Sequence, residues 1–190
     1  MAILRWAEET ARAVLADALP RRWVHVQEVA VRAGRMAVAL DEENGEVLHA
    51  AAWLHDVGYA PELATTFHPL DGARYLRTVG APERLVGLVA FHSAAASEAR
   101  SLGFSGEMAQ FEDERSLVRD LLWFADMTIG PGGECMTFDR RMAELQERYA
   151  PDHYVVRALE VGIGERRAAV ERAERWLDLV GLTDRNHSGG

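Results

Sequence analysis

Apolar residues recur at helical spacing along almost the whole chain. One stripe runs from Leu4 to Ala18, and Pro20 separates it from a second stripe between Trp23 and Leu40. Because residues three and four positions apart share a face of a helix, each stripe predicts an amphipathic helix. The same pattern predicts further helices over residues 43–57, 70–78, 83–92, 114–127, 137–149 and 154–180.

Apolar and polar residues do not alternate in the way that is typical of a strand. The sequence therefore predicts an all-α, single-domain helical bundle over residues 1–182. The last segment, Thr183–Gly190, is polar and ends in two glycines, which favours a flexible tail.

Composition narrows the possible functions of the 190-residue chain. All 21 basic residues are arginine, and the formal net charge is −9, which argues against broad nucleic-acid binding. The sequence has no apolar run long enough to suggest a membrane span. A single cysteine, Cys135, and a charged N-terminal segment favour the cytoplasm. The oligomeric state stays open.

The dipeptide His55-Asp56 is the strongest candidate for chemistry. It follows an apolar helical run in Ala-Ala-Trp-Leu-His-Asp-Val-Gly-Tyr, so both polar side chains are expected to be buried. Burying an imidazole and a carboxylate is costly unless they find partners, and a metal ion satisfies both. Gly58 is expected to end the helix and leave room for an ion there.

Further possible ligands occur upstream and downstream of this pair. His25 and Asp126 lie close to the apolar lines of their own predicted helices, and His68 and His92 lie between the pair and Asp126. Side chains from several helices can meet at one interior point, as they do in many metal-binding bundles. The set predicts a metal-dependent hydrolase.

These motifs resemble those of the HD-domain superfamily of metal-dependent phosphohydrolases. The family has a histidine, then a His-Asp pair and then a distant aspartate, all on helices. Here they correspond to His25 in Trp-Val-His-Val-Gln-Glu, to His55-Asp56, and to Asp126 in Trp-Phe-Ala-Asp-Met-Thr. The resemblance covers about residues 21–133 and implies the fold, a metal site and phosphohydrolase activity.

The resemblance also implies how many ions bind. Binuclear members place two more histidines between the pair and the last aspartate, where this chain has His68 and His92, and use the aspartate of the pair as a bridge. We therefore expect two divalent ions, bridged by Asp56, with one ion as the alternative. The sequence does not choose among iron, manganese, cobalt, nickel and zinc.

Among binuclear members, the segment Phe-His-Pro-Leu-Asp-Gly-Ala is similar to that of the symmetrical diadenosine tetraphosphate hydrolases. Other branches fit less well. Ser93 follows His92 where cyclic-dinucleotide phosphodiesterases have a second histidine, and Tyr59 stands where deoxynucleotidases usually have a glutamate. The Glu-Asp pair of the alarmone hydrolases is missing.

The resulting functional prediction is hydrolysis of a nucleotide or other small phosphate ester or anhydride, with Asp56 helping to activate water. Arg22, Arg74 and Arg77 are close in sequence to the proposed ligands and are candidates for phosphate contacts. Two alternatives remain open. The same kinds of ligands resemble those of di-iron oxygenases similar to myo-inositol oxygenase, and the domain could also bind metal without catalysing a reaction.

Overall fold

A computed structural model describes residues 2–65, 67–148 and 154–182. Ten α-helices occur in these ranges, together with short 3-10 turns at Val57–Tyr59 and His92–Ala94. The α-helices are α1 (Ala2–Leu15), α2 (Pro20–Ala37), α3 (Glu42–Leu54), α4 (His68–Thr78), α5 (Glu83–Ala90), α6 (Ala95–Leu102), α7 (Ser105–Met108), α8 (Leu117–Met127), α9 (Phe138–Arg148) and α10 (Tyr154–Val180).

The prediction of an all-α bundle is confirmed. Within the described ranges the β-structure amounts to one isolated bridge, between Ile129 and Cys135. The same ranges contain no helix that is both long and apolar enough to cross a membrane. The predicted tail, Thr183–Gly190, lies outside the described residues, so its flexibility stays a prediction.

Several helices differ from the prediction at their ends, for local reasons. α3 ends at Leu54 rather than Val57, because the backbone leaves the helical conformation at Asp56 (φ −105°, ψ 9°). α8 begins at Leu117 rather than residue 114, because the Ser116 side chain caps it by accepting a hydrogen bond from the Arg119 amide at 3.2 Å. α5 ends at Ala90, two residues earlier than predicted.

The short helices α6 and α7 were not predicted. Their segment, residues 95–108, is rich in alanine, serine and glycine, so it carries few large apolar side chains to mark a helical face. α6 is capped by Gly103, whose φ of 83° is the left-handed conformation that glycine adopts most readily.

The core is built around α8. Every residue from Val118 to Met127 is buried, as expected for a helix that is surrounded by others. α8 contacts α2, α3, α9 and α10, and α3 in turn contacts α1, α2 and α5. As a result, Asp126, near the end of α8, faces the inner ends of helices that come from widely separated parts of the chain.

Candidate metal centre

Six side chains predicted as ligands meet at one buried point. His25 Nε2 lies 3.1 Å from Asp126 Oδ1 and 3.8 Å from Asp56 Oδ2, although 101 residues separate His25 from Asp126. His55 Nε2 lies 3.4 Å from Asp56 Oδ2. All of these residues except His68 are at most 5 % exposed.

Asp56 stands between two groups of possible ligands. Its Oδ2 faces His25 and His55, whereas its Oδ1 lies 3.6 Å from His68 Nε2 and 3.7 Å from His92 Nε2. Within each group the possible ligand atoms lie within 4.8 Å of one another. The carboxylate of Asp56 is the member that the two groups share.

Three of the histidines are held in the same way. The Nδ1 of His25 lies 3.1 Å from the carbonyl oxygen of Gly130, that of His55 lies 2.8 Å from Ala52 O, and that of His92 lies 2.6 Å from Val89 O. A carbonyl oxygen can only accept, so each Nδ1 must donate, and the neutral ring then carries its lone pair on Nε2. Metal-binding histidines are typically oriented by such hydrogen bonds.

The Nε2 atoms of His55 and His92 lack suitable partners. His55 Nε2 is fully buried and has no hydrogen-bond partner among the described residues. His92 Nε2 lies 3.1 Å from His68 Nε2, and these two nitrogens can form a hydrogen bond only if one of them is protonated. Buried polar atoms are rarely left in this state, whereas a divalent transition ion would accept all of these lone pairs. The donor set therefore fits a metal ion.

The electrostatics of Asp56 favour its ionised form. Burial alone would raise the pKa of Asp56, but the neighbouring His55 and Arg22 hold this pKa well below its usual range. Arg22 Nη1 donates to Asp56 Oδ2 at 2.7 Å. Conversely, burial lowers the pKa of His55 but the Asp56 charge outweighs it and raises the pKa to about 9. A metal ion that binds His55 Nε2 would displace the proton held there without it. Asp56 is thus ready to act as an anionic ligand.

His68 and His92 have the opposite tendency. Burial, reinforced by the repulsion between the two rings, holds the pKa of His68 well below its usual range. Burial and the proximity of His55 also lower the pKa of His92. Neutral imidazole is the form that binds metals, so this pair is set up as ligands at neutral pH.

The close approach of the turn after α3 to α4 depends on Gly58. A Cβ on Gly58 would overlap with the carbonyl oxygen of His68 and the amide nitrogen of Gly72. With glycine, α4 can approach closely enough for the His68 ring to stack on Tyr59, with ring centroids 3.9 Å apart. The space that the absent Gly58 side chain leaves is thus occupied by the backbone of α4, whereas the sequence predicted room for an ion there.

A strained segment supports Asp126 from the other side. Ser93 and Ala94 have φ values of 50° and 60°, in the left-handed region. Ser93 Oγ donates a short hydrogen bond to Asp126 Oδ2, and Arg166 Nε donates to the Ser93 carbonyl oxygen at 2.8 Å. The C-terminal helix α10 thereby holds the backbone that orients an Asp126 oxygen.

The centre opens into a cavity of about 300 Å³. Four arginines line it: Arg22, Arg141, Arg148 and Arg166. The carboxylates of Asp71 and Glu98 line it as well, and burial raises the pKa of Glu98 against the opposing effect of Arg166. The cavity could accommodate a small anion beside the metal ligands.

The arginine predictions need a correction. Arg22 does lie at the centre, but Arg74 is exposed and neither Arg74 nor Arg77 lines the cavity. The Arg77 guanidinium is paired with Glu83, with an Nη2–Oε2 distance of 2.7 Å. Both arginines follow His68 on α4, but the helix directs them away from its buried face.

Sequence reasoning missed Arg141, Arg148 and Arg166. A signal was present for two of them, because Arg166 shares a helical face with Ala169, Val170 and Ala173, and Arg141 lies beside Met142 on the buried face of α9. An arginine among buried apolar residues indicates a buried charge that needs an anionic or polar partner.

Comparisons with known proteins agree with this geometry. The sequence profile of the HD domain matches residues 22–127, more than half of the chain. Comparisons with curated proteins and with solved structures gave no match. The matched segment contains all six proposed ligands and Arg22, whereas Arg141, Arg148 and Arg166 lie beyond it.

Proposed function

Because this chain belongs to the HD-domain family, we propose that it is a phosphohydrolase that uses a metal-activated water to cleave a nucleotide or another small phosphate ester or anhydride. The observation that carries the proposal is the set of anchored histidines. Three of them donate through Nδ1 to the backbone and direct Nε2 towards two buried aspartates. Such an arrangement is costly in a protein without a metal and favourable in one that binds it.

The proposed centre binds two divalent ions. His25, His55, Asp56 and Asp126 would hold one ion, and Asp56, His68 and His92 would hold the other. The support for two ions is that the Asp56 oxygens face different groups of histidines. Imidazole and carboxylate ligands suit iron, manganese, cobalt, nickel and zinc.

When bound, such ions lower the pKa of a coordinated water and offset negative charge on phosphoryl oxygens. Hydrolysis joins the water oxygen to phosphorus and breaks the bond between phosphorus and the leaving oxygen, which takes up a proton. Asp56 stays ionised through its hydrogen bond with Arg22. The Arg22 guanidinium lines the cavity, so its remaining N–H groups are available to orient phosphate oxygens.

The character of the cavity favours an anionic substrate. Its four arginines supply positive charge beside the centre, although the chain as a whole carries a formal charge of −9. The carboxylates of Asp56, Asp71, Glu98 and Asp126 also line the cavity, but the proposed ions would offset the charges of Asp56 and Asp126. The arginines would then attract an anion. This lining fits a phosphorylated metabolite better than the neutral organic substrate of an oxygenase.

The test is a screen of nucleotides and phosphate esters with Mn²⁺, Fe²⁺, Co²⁺ or Ni²⁺. We expect activity that disappears with a chelator and falls by several orders of magnitude in Asp56→Ala, because the bridging ligand serves both ions. Asp139→Asn, which changes an exposed aspartate paired with Arg167, should leave the rate unchanged. Oxygen consumption with an organic substrate and no hydrolysis would favour the oxygenase alternative, and metal binding without either activity would favour a binding domain.

A further inference from the structure

Two cavity arginines share one acidic partner on α9. Arg141 Nη1 lies 2.5 Å from Glu144 Oε2, and Arg148 Nε donates to Glu144 Oε1 at 3.0 Å. The three residues follow one another at offsets of three and four, so they lie on the same side of the helix. One carboxylate therefore faces two guanidinium groups, which leaves one positive charge in excess.

Arg141 also has an unused donor in this group. It is 3 % exposed, and its Nε is buried without a hydrogen-bond partner among the described residues. A buried guanidinium N–H costs free energy when it is left unpaired. Glu144 therefore does not satisfy the whole Arg141 guanidinium, and the excess positive charge of the two arginines favours an anion as a further partner.

The two arginines on α9 line the same cavity as the metal centre. Arg141 and Arg148 line the same cavity as Asp56, His68, His92 and Asp126. Arg22 and Arg148 also line a neighbouring cavity of about 760 Å³, which includes Glu144. An extended anion at the centre would thus meet Arg22 and then the α9 arginines.

We propose that Arg141 and Arg148 form a second anion subsite, which binds a non-reacting phosphate group of a di- or oligophosphate substrate. Glu144 holds the two guanidinium groups in place before the substrate binds, and the phosphate then competes for them. Arginine is suited to this task because its planar fork donates two parallel hydrogen bonds to a phosphate. The assignment of a reacting phosphate to the metals rests on the proposed function, but the binding of an anion at α9 does not.

If the subsite exists, substitutions of its arginine and of its glutamate should change anion binding in opposite directions. Arg148→Gln removes a donor and a positive charge, so anion binding should weaken. Glu144→Gln removes the competing negative charge at almost constant size, so anion binding should strengthen. A purely structural role of Glu144 would instead make both variants bind the anion more weakly.

The experiment measures binding by calorimetry to the purified, metal-containing chain. The probe is bis(phosphonomethyl)phosphinate, the methylene-bridged analogue of triphosphate, which resists hydrolysis, and the comparison probe is methylphosphonate, which has a single anionic group. For Arg148→Gln we expect about tenfold or more weaker binding of the triphosphate analogue, with little change for methylphosphonate. Glu144→Gln should bind the analogue more tightly than the wild type.

A matched control is available on the same helix. Arg140→Gln removes the same charge from α9, but Arg140 is 63 % exposed and lines neither cavity. The Arg140→Gln variant should bind both probes with the same affinity as the wild type. Circular dichroism of each variant shows whether the helices are intact.

Three results would overturn the subsite. The first is that Arg148→Gln weakens the binding of both probes equally. The second is that Arg140→Gln and Arg148→Gln have equal effects. The third is that Glu144→Gln binds the triphosphate analogue more weakly than the wild type does. A protein that shows the expected differences but hydrolyses no phosphate compound would keep the subsite and refute the proposed function. A protein that hydrolyses phosphate compounds but does not show these differences would support the proposed function and refute the subsite.

Discussion

Individual residues at the centre are oriented by groups outside the ligand set. Backbone carbonyls fix the rings of His25, His55 and His92, and the Ser93 hydroxyl holds one oxygen of Asp126. Ser93 does this from a left-handed backbone conformation that few residues other than glycine adopt. Arg166 on α10 donates to the same backbone, so the distant C-terminal helix contributes to the geometry of a ligand.

Replacing Ser93 by alanine should therefore weaken metal binding without unfolding the protein. Asp126 Oδ2 would lose its donor, and removing a partner that orients a ligand typically lowers metal affinity by about 10–100-fold. The measurement is competition for the metal against a chelator of known affinity. Ser101→Ala is the control, because Ser101 is an exposed serine whose hydroxyl donates to the Ser97 carbonyl oxygen. Equal affinities of the two variants would contradict the role of Ser93.

At the scale of elements, the packing of α4 on the turn after α3 decides where His68 lies. Gly58 and Gly72 are in contact across this interface, where a Cβ on Gly58 would overlap with backbone atoms and a Cβ on Gly72 would be tightly packed. Overfilling a packed contact forces the backbone apart, because cores do not deform smoothly. The second group of ligands thus depends on two residues that have no functional side chain.

Gly58→Ala should destabilise the protein and displace His68. We expect a loss of about 1–3 kcal/mol or more in the free energy of unfolding, since the new Cβ meets backbone that cannot rotate away. Metal binding should weaken mainly at the site that uses His68. Gly164→Ala is the matched control, because a Cβ there meets nothing within 4 Å and the residue lies inside α10.

In the control, alanine should be neutral or stabilise α10 by about 0.5–1 kcal/mol, as expected for glycine in the interior of a helix. Chemical denaturation of both variants measures the difference. If Gly58→Ala were as stable as Gly164→Ala, α4 would not depend on this close contact.

Most helices could be predicted from the sequence, because helical periodicity depends on residues that are close together in the chain. Helical periodicity marked α1 to α5 and α8 to α10. Residue types, their positions on the predicted helices and the resemblance to the HD-domain motifs selected His25, His55, Asp56 and Asp126, which the structure brings together. The predicted positions of the helix ends were less accurate. The end of α3 depends on the backbone at Asp56, which periodicity does not describe.

The cavity arginines show where local patterns fail. Arg74 and Arg77 were chosen because they are near His68 in sequence, but the lining arginines on α9 and α10 are far from it in sequence. Which arginine reaches the cavity depends on how α9 and α10 pack against α8, and packing between distant segments leaves no simple periodic signal.

At the scale of the whole molecule, segments beyond the HD-domain match contribute to the lining of the site. The HD-domain match ends at residue 127, and α9 and α10 then supply three of the four arginines that line the cavity. These arginines give the lining positive charge, although the carboxylates of Asp71 and Glu98 offset part of it. Ions held by the matched segment would add to it, so the affinity for anions depends on metal occupancy.

The central claim is a metal centre that Asp56 shares between two groups of ligands. The most direct test is elemental analysis of the purified wild type, Asp56→Ala and His92→Ala, each normalised to protein concentration. We predict two divalent ions per wild-type chain, almost none in Asp56→Ala, and about one in His92→Ala, where the site with His25, His55 and Asp126 keeps its ligands. Wild-type metal content in Asp56→Ala would contradict the shared centre.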